Sequence, residues 1–396
     1  MSYTEDFNLL NEIYSENTDL ISIPGSNLVI NNYSFTSDES VYYPDSDYIK
    51  NCIMTNISYD TAIKTRSFAE KIHESETYNR KFIFPLYTNP GKSKNLIILL
   101  HGLNEGGWEK YHTWAKKLAE LTNRSVLMFP VSHHVNRRPP EWIASREMNA
   151  LAKERQKLFG AEEFSFINSA ISTRLHLMPE LFFWSGLRSF YDVQKLVKEI
   201  RDGRYESIDK DCNISMFGYS IGAFLIEVLL MARKEMFADT KSVLFCGGLT
   251  MDMMNLKSRF ICDSKAEKSV KNFYTKDYES CIERDVYLKK YFKDNEEEGM
   301  AFRSMLNSGR LEDYRYCNLK HYEDRILAIP LKNDEVAPAE HVRKTLTGNG
   351  LKVRVEEMHT DIEYDHIMPF SILERLNVRT NEWFERIFSR AAEWLE

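Results

Sequence analysis

The segment Gly218-Tyr219-Ser220-Ile221-Gly222 places one serine between two glycines in the pattern G-x-S-x-G. The apolar run NISMF precedes it and the apolar run GAFLIEVLL follows it, which predicts a buried strand and then a buried helix. A serine on such a sharp strand-to-helix turn adopts an unfavourable backbone conformation, and the flanking glycines allow the strand and the helix to approach each other. This context favours an exposed nucleophile at Ser220 over an ordinary serine in a β–α turn.

A serine hydroxyl needs a base beside it, and two histidines late in the chain are the candidates. His366 in EYDHIMPF follows the last predicted strand by several residues and precedes the terminal helices. It is therefore expected in a loop at the carboxyl edge of the sheet, the same edge as Ser220, where a base can reach the nucleophile. His359 follows the same strand immediately, where its side chain would be held at the strand end. The loop position favours His366.

The third group of such a triad is a carboxylate that orients the imidazole, and three residues compete for this role. Asp334 in IPLKNDEVAP lies three residues past the predicted strand RILAIPL, within a cluster of turn-forming residues. Its alternative role is to cap that turn. Glu335 is adjacent to it, and Asp252 in GGLTMDM follows the preceding predicted strand. We select Asp334 and keep Glu335 and Asp252 as alternatives.

The segment LLHGLNEGGW follows the first predicted core strand and supplies a loop beside the serine. The backbone amides of Leu103 and of Ile221, the residue after the nucleophile, are the expected donors to an oxyanion that develops during acyl transfer. His101 is expected to brace this loop rather than to transfer protons. A serine, a base, an acid and two amide donors would together support acyl transfer.

Two further groups of residues contain side chains that can bind a metal ion. His133 and His134 follow the second predicted core strand, but no acidic companion stands at ligand spacing, and adjacent side chains on a strand point apart. Pocket lining or plain solvation is the expected role of this pair. The cysteines form no C-x-x-C pair, so we expect no zinc site, and the proposed chemistry needs no cofactor. The six cysteines are Cys52, Cys212, Cys246, Cys262, Cys281 and Cys317.

Apolar runs that are typical of strands covered on both faces surround these residues. A run at 95–100, an amphipathic helix EKYHTWAKKLAELTN and a run at 125–130 form a predicted strand–helix–strand unit. Further strands are predicted at NISMF, at SVLFCGGL (242–249), at RILAIPL (325–331) and at KVRVEEM (352–358), with helices between them. The predicted fold class is α/β, with a mainly parallel sheet flanked by helices.

Two long segments interrupt this pattern. Residues 131–185, the first lid segment, contain a predicted helix IASREMNALAKERQKLF and the aromatic run PELFFWSG, and residues 250–324, the second lid segment, have the pattern of helices. Insertions at this edge of a sheet often carry function, so both are expected to cover the site. Residues 1–80 form an expected accessory segment with a helix at DTAIKTRSFAEKIHES, and residues 81–396 form the main domain.

The composition argues against several classes of protein. The chain has 396 residues, a formal net charge of -7 and no block of basic residues, which argues against binding to nucleic acid. The acidic start of the chain has no signal-peptide pattern, and no apolar run approaches the ~20 residues of a membrane span. We therefore expect a cytoplasmic protein without a membrane span, and the sequence leaves its oligomeric state open.

In their order along the chain, these motifs resemble the α/β-hydrolase fold superfamily. The HG after the first core strand, the G-x-S-x-G, the segment NDEVAP and the late DH match it over about residues 92–396. The chain order Ser220, Asp334, His366 is also that of the superfamily. The loop HGLNEGG departs from the HGGG of many esterases. Because the amino-terminal part and both lid segments resemble no common esterase or lipase, the sequence suggests a separate, bacterial branch.

The resemblance implies a serine hydrolase with a helical lid, and we expect a carboxylic ester hydrolase. Such an enzyme would act on a small-molecule acyl substrate through an acyl-enzyme intermediate, without a metal or an organic cofactor. A thioesterase or a peptidase of the same fold would use the same groups. A non-catalytic scaffold that binds a ligand is the alternative from another class, because fold and motif alone do not establish activity.

Overall fold

The computed structural model describes residues 1–38, 47–48, 68, 72–160, 162–293 and 297–396. The helix predicted at DTAIKTRSFAEKIHES lies outside these residues, apart from Phe68 and a short 3-10 helix at Ile72–Ser75. That helix therefore stays a prediction. Of the accessory segment, the structure describes residues 1–38 and 72–80 and three residues between them.

One sheet forms the centre of the described part of the chain. Its strands are β1 (Leu20–Ser22), β2 (Val29–Thr36), β3 (Lys81–Thr88), β4 (Ser93–Leu100), β5 (Ser125–Phe129), β6 (Ile208–Tyr219), β7 (Ser242–Phe245), β8 (Ile326–Ile329) and β9 (Arg354–Val355). They lie in the order β1-β2-β3-β5-β4-β6-β7-β8-β9. The pairs from β1 to β3 and the pair of β3 with β5 are antiparallel, and all pairs from β5 to β9 are parallel.

Helices cover both faces of this sheet. They are α1 (Tyr3–Ile13), α2 (Glu76–Arg80), α3 (Glu109–Thr122), α4 (Ser145–Phe159), α5 (Ser169–Leu177), α6 (Leu181–Arg201), α7 (Ile221–Ala232), α8 (Ser264–Asn272), α9 (Tyr278–Arg284), α10 (Val286–Lys293), α11 (Glu297–Leu306), α12 (Glu312–Leu319), α13 (Ala339–Thr347) and α14 (Asn377–Leu395). One core contains residues of α1, α3 and α14, and the other contains residues of α6, α7 and α11. The predicted α/β class is confirmed: the described part of the chain has a mainly parallel sheet flanked by helices.

The central strands bring two loops together at the carboxyl edge of the sheet. β4 lies between β5 and β6, and its residues 96–100 are fully buried, which explains their uninterrupted apolar run. In the parallel register, Leu100 is the partner of Gly218. The loop that follows β4 and the turn that carries Ser220 therefore start side by side.

The amino-terminal segment is joined to the same sheet. β2 pairs with β3 from Val29 with Thr88 to Thr36 with Lys81, and β1 adds the edge strand. The helix α1 packs on α3, where Asp6 accepts a hydrogen bond from the ammonium of Lys116 at 3.0 Å. These strands and this helix extend the sheet and its helical layer rather than forming a separate layer.

Several predicted strands are shorter in the structure. The strand predicted at 242–249 ends at Phe245, because Cys246 with φ 48° and Gly248 with φ 93° turn the chain away from the sheet. The strand predicted at 352–358 pairs only at Arg354–Val355, followed by an isolated bridge between Met358 and Leu331. These early strand ends leave loops at the carboxyl edge, where the candidate site lies.

The two lid segments pack against each other. The helix α5 of the first segment contacts α8 of the second. Arg155 on α4 makes two hydrogen bonds to Asp263, at 2.7 and 3.0 Å, and both side chains are fully buried. Asp263 also caps α8 by accepting the backbone N–H of Ala266 at 2.9 Å. The aromatic residues of the run PELFFWSG lie in the first turn of the long helix α6.

Candidate active site

Ser220 lies on the turn between β6 and α7 with φ 54° and ψ -115°. A positive φ is unusual for a residue with a side chain, and such strain is concentrated at functional sites. A Cβ on Gly222 would lie 2.3 Å from the carbonyl oxygen of Leu100, and a Cβ on Gly218 would lie 2.6 Å from the nitrogen of Ala223. Both positions therefore require glycine, and the serine stands on the sharp strand-to-helix turn that the sequence predicts.

His366 lies in the loop before α14 and faces this serine. Its Nε2 lies 2.7 Å from the Oγ of Ser220. The imidazole stacks on the ring of Tyr219, with centroids 5.4 Å apart and planes 20° apart, and the residue is buried. The alternative His359 is exposed to solvent. Of the two candidate bases, the structure therefore places only His366 against the serine.

Asp334 lies on the other side of the imidazole. Its Oδ1 and Oδ2 lie 2.9 and 2.8 Å from Nδ1 of His366. Oδ1 also accepts the backbone N–H groups of Val336 and Ala337, at 2.9 and 3.0 Å. Burial raises the pKa of the Asp334 carboxyl, but His366 and the two amides outweigh burial, so the pKa lies below its usual value. The carboxyl group is therefore ionised, and His366 Nδ1 donates its hydrogen to it.

The two alternatives to Asp334 take other positions. Glu335 is exposed to solvent. Asp252 accepts hydrogen bonds from the hydroxyl groups of Thr250 at 2.6 Å and Ser308 at 2.7 Å, within the second lid segment. Of these three carboxylates, only Asp334 contacts the histidine.

His101 holds the loop after β4. Its Nε2 accepts the backbone N–H of Val131 at 2.8 Å, so Nδ1 carries the hydrogen and donates it to the Gly102 carbonyl oxygen, also at 2.8 Å. Burial lowers the pKa of His101 to about 4, so the ring is neutral at ordinary pH. Both ring nitrogens are engaged in holding the loop, which is the geometry of the predicted brace.

Three residues without a sequence signal fix the same loop. The hydroxyl group of Tyr111 accepts the backbone N–H of Gly102 at 2.9 Å and donates to Oε1 of Glu105 at 2.7 Å. Lys110 donates to the same oxygen at 2.6 Å and to the carbonyl oxygen of Ile367 at 2.5 Å. The Lys110 side chain is only 4% exposed, although a lysine on an amphipathic helix is ordinarily a surface residue.

A fourth residue without a predicted role lies beside the carboxylate of Asp334. Cys246 follows β7 directly and is fully buried. Burial, together with the charge and the hydrogen bond of Asp334, raises the pKa of the Cys246 thiol well above its usual range. The neutral S–H group is therefore one more donor to Asp334.

The predicted oxyanion donors, Leu103 and Ile221, line one small cavity beside the elbow, the sharp strand-to-helix turn that carries Ser220. Ile221 is the first residue of α7, so its backbone N–H has no acceptor within the helix. The cavity has a volume of about 50 Å³, and most of its lining side chains are apolar. An acyl carbonyl bound at these two amides would place its substituent in or next to this cavity.

The histidine pair after β5 is buried rather than solvated. His133 and His134 are 4% and 6% exposed, so solvation, one of the two roles expected for them, is wrong. His134 lines the cavity, as the other expectation had it. Among the described residues, no group of three or more His, Cys, Asp or Glu side chains has the arrangement of a metal site.

Solved structures with a similar fold include three esterases. The protein from Pseudomonas putida shares 9% identity at a TM-score of 0.45, with 100% of this chain and 91% of that chain covered. A carboxyl esterase from Tuber melanosporum shares 13% at 0.40, covering 80% and 82%. An esterase from Pyrobaculum calidifontis shares 14% at 0.40, covering 89% and 98%. Similarity this distant carries no information about substrate.

No curated protein matches the sequence. Across the part of the chain that the structure describes, no helix has both the length and the apolar character needed to cross a membrane. A family model does match, over residues 1–396, which include the amino-terminal segment, the sheet and both lid segments. The chain therefore belongs to the family of unknown function DUF6051.

Proposed function

We propose that the protein is a serine hydrolase that cleaves a small carboxylic ester through an acyl-enzyme intermediate. One observation carries this proposal: a chain of hydrogen bonds runs from Ser220 Oγ to His366 Nε2 at 2.7 Å, and from His366 Nδ1 to Asp334 at 2.8 Å. A nucleophile, a base in contact with it and an acid that orients the base are the groups that acyl transfer requires. The positive φ of Ser220 is a second support.

In the proposed acylation step, Ser220 Oγ forms a bond to the acyl carbon while His366 Nε2 takes the hydroxyl proton. The carbonyl electron pair moves onto oxygen, and the backbone N–H groups of Leu103 and Ile221 donate to that oxyanion. As the tetrahedral intermediate collapses, the bond to the leaving alcohol breaks and His366 delivers the proton to it. The products of this step are the ester of Ser220 and a free alcohol.

In the proposed deacylation step, water replaces the alcohol. His366 Nε2 takes a proton from water as the water oxygen attacks the acyl carbon, and the same two amides hold the oxyanion. Collapse breaks the bond to Ser220 Oγ, which receives the proton from His366. The carboxylic acid leaves, and the enzyme returns to its starting state.

Asp334 is proposed to set the tautomer of the base. Because it is ionised and accepts from Nδ1 of His366, the lone pair of the imidazole is at Nε2, next to the serine. The negative charge also stabilises the imidazolium that forms during each proton transfer. The donors from Val336, Ala337 and Cys246 keep this carboxylate in place.

The lid segments are proposed to cover the site and to limit the size of the substrate. Eight residues of the first lid segment, Val131 and His134 among them, line the cavity beside Leu103, and Phe302 of the second lid segment lines it as well. We propose a cytoplasmic location as well. Free thiols are typical of a reducing compartment, and the described cysteines are free.

Labelling with a fluorophosphonate probe, followed by mass spectrometry of the labelled peptide, tests this proposal. We expect a single adduct on Ser220, no adduct in Ser220→Ala, and greatly reduced labelling in His366→Ala. Circular dichroism of each variant shows whether the fold is retained. An unlabelled wild-type protein with an intact fold, or equal labelling of Ser220→Ala, would reject the mechanism and favour a non-catalytic scaffold.

A further inference from the structure

The cavity beside the elbow is apolar on most of its surface but has a polar part. Its volume is about 50 Å³, and Leu103, Ile221 and Phe224 are among its apolar lining residues. His134 and Arg174 line it as well and are 6% and 5% exposed. Polar side chains in such a pocket commonly fix the orientation and the identity of a ligand.

His134 is one of the residues that line the cavity, and its imidazole has an unused hydrogen-bond acceptor. Its Nδ1 lies 2.8 Å from the carbonyl oxygen of Ser132, which only accepts, so Nδ1 carries the hydrogen. Nε2 then bears a lone pair, and it has no hydrogen-bond partner in the described part of the chain, although it is buried. Burial, His101 and Arg174 hold the pKa of His134 well below its usual range, so the ring stays neutral. A buried acceptor without a partner costs free energy unless a ligand supplies a donor.

The backbone fixes the position of this imidazole. The residues on both sides of it have positive φ, 64° at His133 and 50° at Val135. A β-branched residue in this conformation is a clear outlier, and such strain persists where the surrounding structure holds it in place. Here the N–H of Val135 donates to the carbonyl oxygen of Glu105 at 3.2 Å, which ties the turn to the loop after β4.

We propose that the cavity binds a short acyl group with a hydroxyl substituent, and that this hydroxyl donates to Nε2 of His134. The inference rests on the proposed function, because the cavity is taken as the acyl site on account of Leu103 and Ile221 in its wall. His134 is thus a specificity residue. The hydroxyl oxygen keeps its lone pairs when it donates its hydrogen, and the positive charge of the nearby Arg174 attracts these lone pairs.

The size and the chemistry of the cavity favour this ligand over two others. A dry cavity of about 150 Å³ binds benzene, so a cavity of about 50 Å³ has room for about two non-hydrogen atoms beyond the acyl carbon. The glycolyl group, with CH2OH, has this size. A propanoyl group has the same size but leaves the His134 acceptor without a partner, and an ionised carboxylate has no hydrogen to donate.

The test compares two esters of equal size, methyl glycolate and methyl propanoate, by pH-stat titration of the acid released. The ratio of their kcat/KM values is divided by the same ratio for hydroxide-catalysed hydrolysis, which removes their difference in intrinsic reactivity. For the wild type we expect a corrected ratio of about ten or more, since a site built around a hydrogen bond rejects the analogue that lacks it. In His134→Leu the ratio falls to about one, and His134→Gln, which restores an acceptor, recovers part of it.

Leu175→Val, in the apolar wall of the same cavity, is the matched control, and its corrected ratio stays within about twofold of wild type. A wild-type ratio near one, a His134→Leu variant that keeps the preference, or a preference for monomethyl malonate overturns the inference. If the esters are hydrolysed through Ser220 with a ratio near one, the proposed function stands and only the inference fails. If no ester is hydrolysed and Ser220 is not labelled by a fluorophosphonate, the proposed function itself has failed.

Discussion

The ammonium group of Lys110 donates a hydrogen bond to the carbonyl oxygen of Ile367, the residue that follows His366, at 2.5 Å. The same group donates to Glu105 at 2.6 Å and lies 4.8 Å from the centre of the Tyr219 ring. The imidazole of His366 stacks on the same Tyr219 ring. One buried cation therefore joins the loop of the proposed base to the loop of Leu103, one of the two proposed oxyanion donors.

Replacing this cation should disturb catalysis more than substrate binding. In Lys110→Met, the His366 loop loses its hydrogen bond to Lys110, and the partly buried carboxylate of Glu105 loses its cation. We expect kcat to fall about tenfold, since small displacements of catalytic groups are costly, while KM changes by less than about threefold. Steady-state kinetics with a short-chain ester, together with a thermal unfolding curve, checks this prediction.

Lys116 provides the matched control. It lies on the same helix, is equally buried, and forms ion pairs with Asp6 at 3.0 Å and Glu120 at 2.8 Å. Lys116→Met should lose stability, by about 2–4 kcal/mol, without a selective fall in kcat. A Lys110→Met variant that keeps its kcat, or a Lys116→Met variant that loses as much, would contradict a positioning role for Lys110.

Asp334→Asn should abolish most of the activity. An asparagine at this position would favour the wrong tautomer of His366, and such a change costs about 10^4-fold in kcat in a serine triad. Equal replacements of the alternatives, Glu335→Gln and Asp252→Asn, should leave kcat within about threefold, since neither carboxylate contacts the histidine. Activity that is lost in Asp252→Asn and kept in Asp334→Asn would show that the acid is assigned wrongly.

Asp334→Asn should also change how the free energy of unfolding depends on pH. The lowered pKa of Asp334 means that its folded form binds a proton less tightly than the unfolded chain does. Its stabilising contribution is present above the unfolded pKa of about 3.9 and is lost as the pH falls through the folded value. Urea unfolding should therefore show the largest difference between wild type and Asp334→Asn near about pH 6, and a smaller one below about pH 3. A difference that grows toward low pH would contradict this sign.

Gly222→Ala tests the close approach of strand and helix at the elbow. The added Cβ would meet the carbonyl oxygen of Leu100 at 2.3 Å, and this backbone atom cannot move without shifting β4. We expect a loss of about 2–4 kcal/mol in the free energy of unfolding and no labelling of Ser220. Gly309→Ala is the control, since its nearest neighbour would be Oδ1 of Asn307 at 3.6 Å. Equal stability of the two variants would be the contrary result.

The buried thiol beside the triad should be unreactive in the folded protein. Burial raises the pKa of Cys246, and the thiolate is the form that reacts with iodoacetamide. We expect mass spectrometry to find alkylation first at the exposed Cys317, and at Cys246 only after addition of urea. Rapid alkylation of Cys246 in the native state would mean that the region of Asp334 is open to solvent.

The sequence allowed Ser220, Asp334 and His366 to be chosen separately, and the structure places them in one hydrogen-bonded chain. The physical reason is that parallel strands end at one edge, so residues shortly after different strands meet there. The same reasoning could not decide which of Asp334, Glu335 and Asp252 is the acid of the triad. Asp252 also follows a strand, and only the structure shows that it accepts hydrogen bonds from Thr250 and Ser308 instead of contacting the histidine.

Other features had no signal in the sequence. Lys110 and Glu105 have the pattern of solvated charges, and only tertiary contacts show that Lys110 is buried and forms an ion pair with Glu105. The run SVLFCGGL is apolar throughout, so its pattern does not reveal that the strand stops at Phe245. His134 follows a strand, as many surface residues do. Its place in the cavity wall depends on how the first lid segment packs, and the periodicity of a sequence reports only local structure.

The central claim is that Ser220 forms a covalent acyl intermediate. It is tested most directly by mixing the protein with 4-nitrophenyl acetate, quenching in acid within the first turnovers, and measuring the intact mass and the masses of its peptides. The proposed mechanism predicts a gain of one acetyl group, located on Ser220 and absent in Ser220→Ala. Release of nitrophenol with no acetylated protein at any quench time, or an acetyl group on another residue alone, would contradict it.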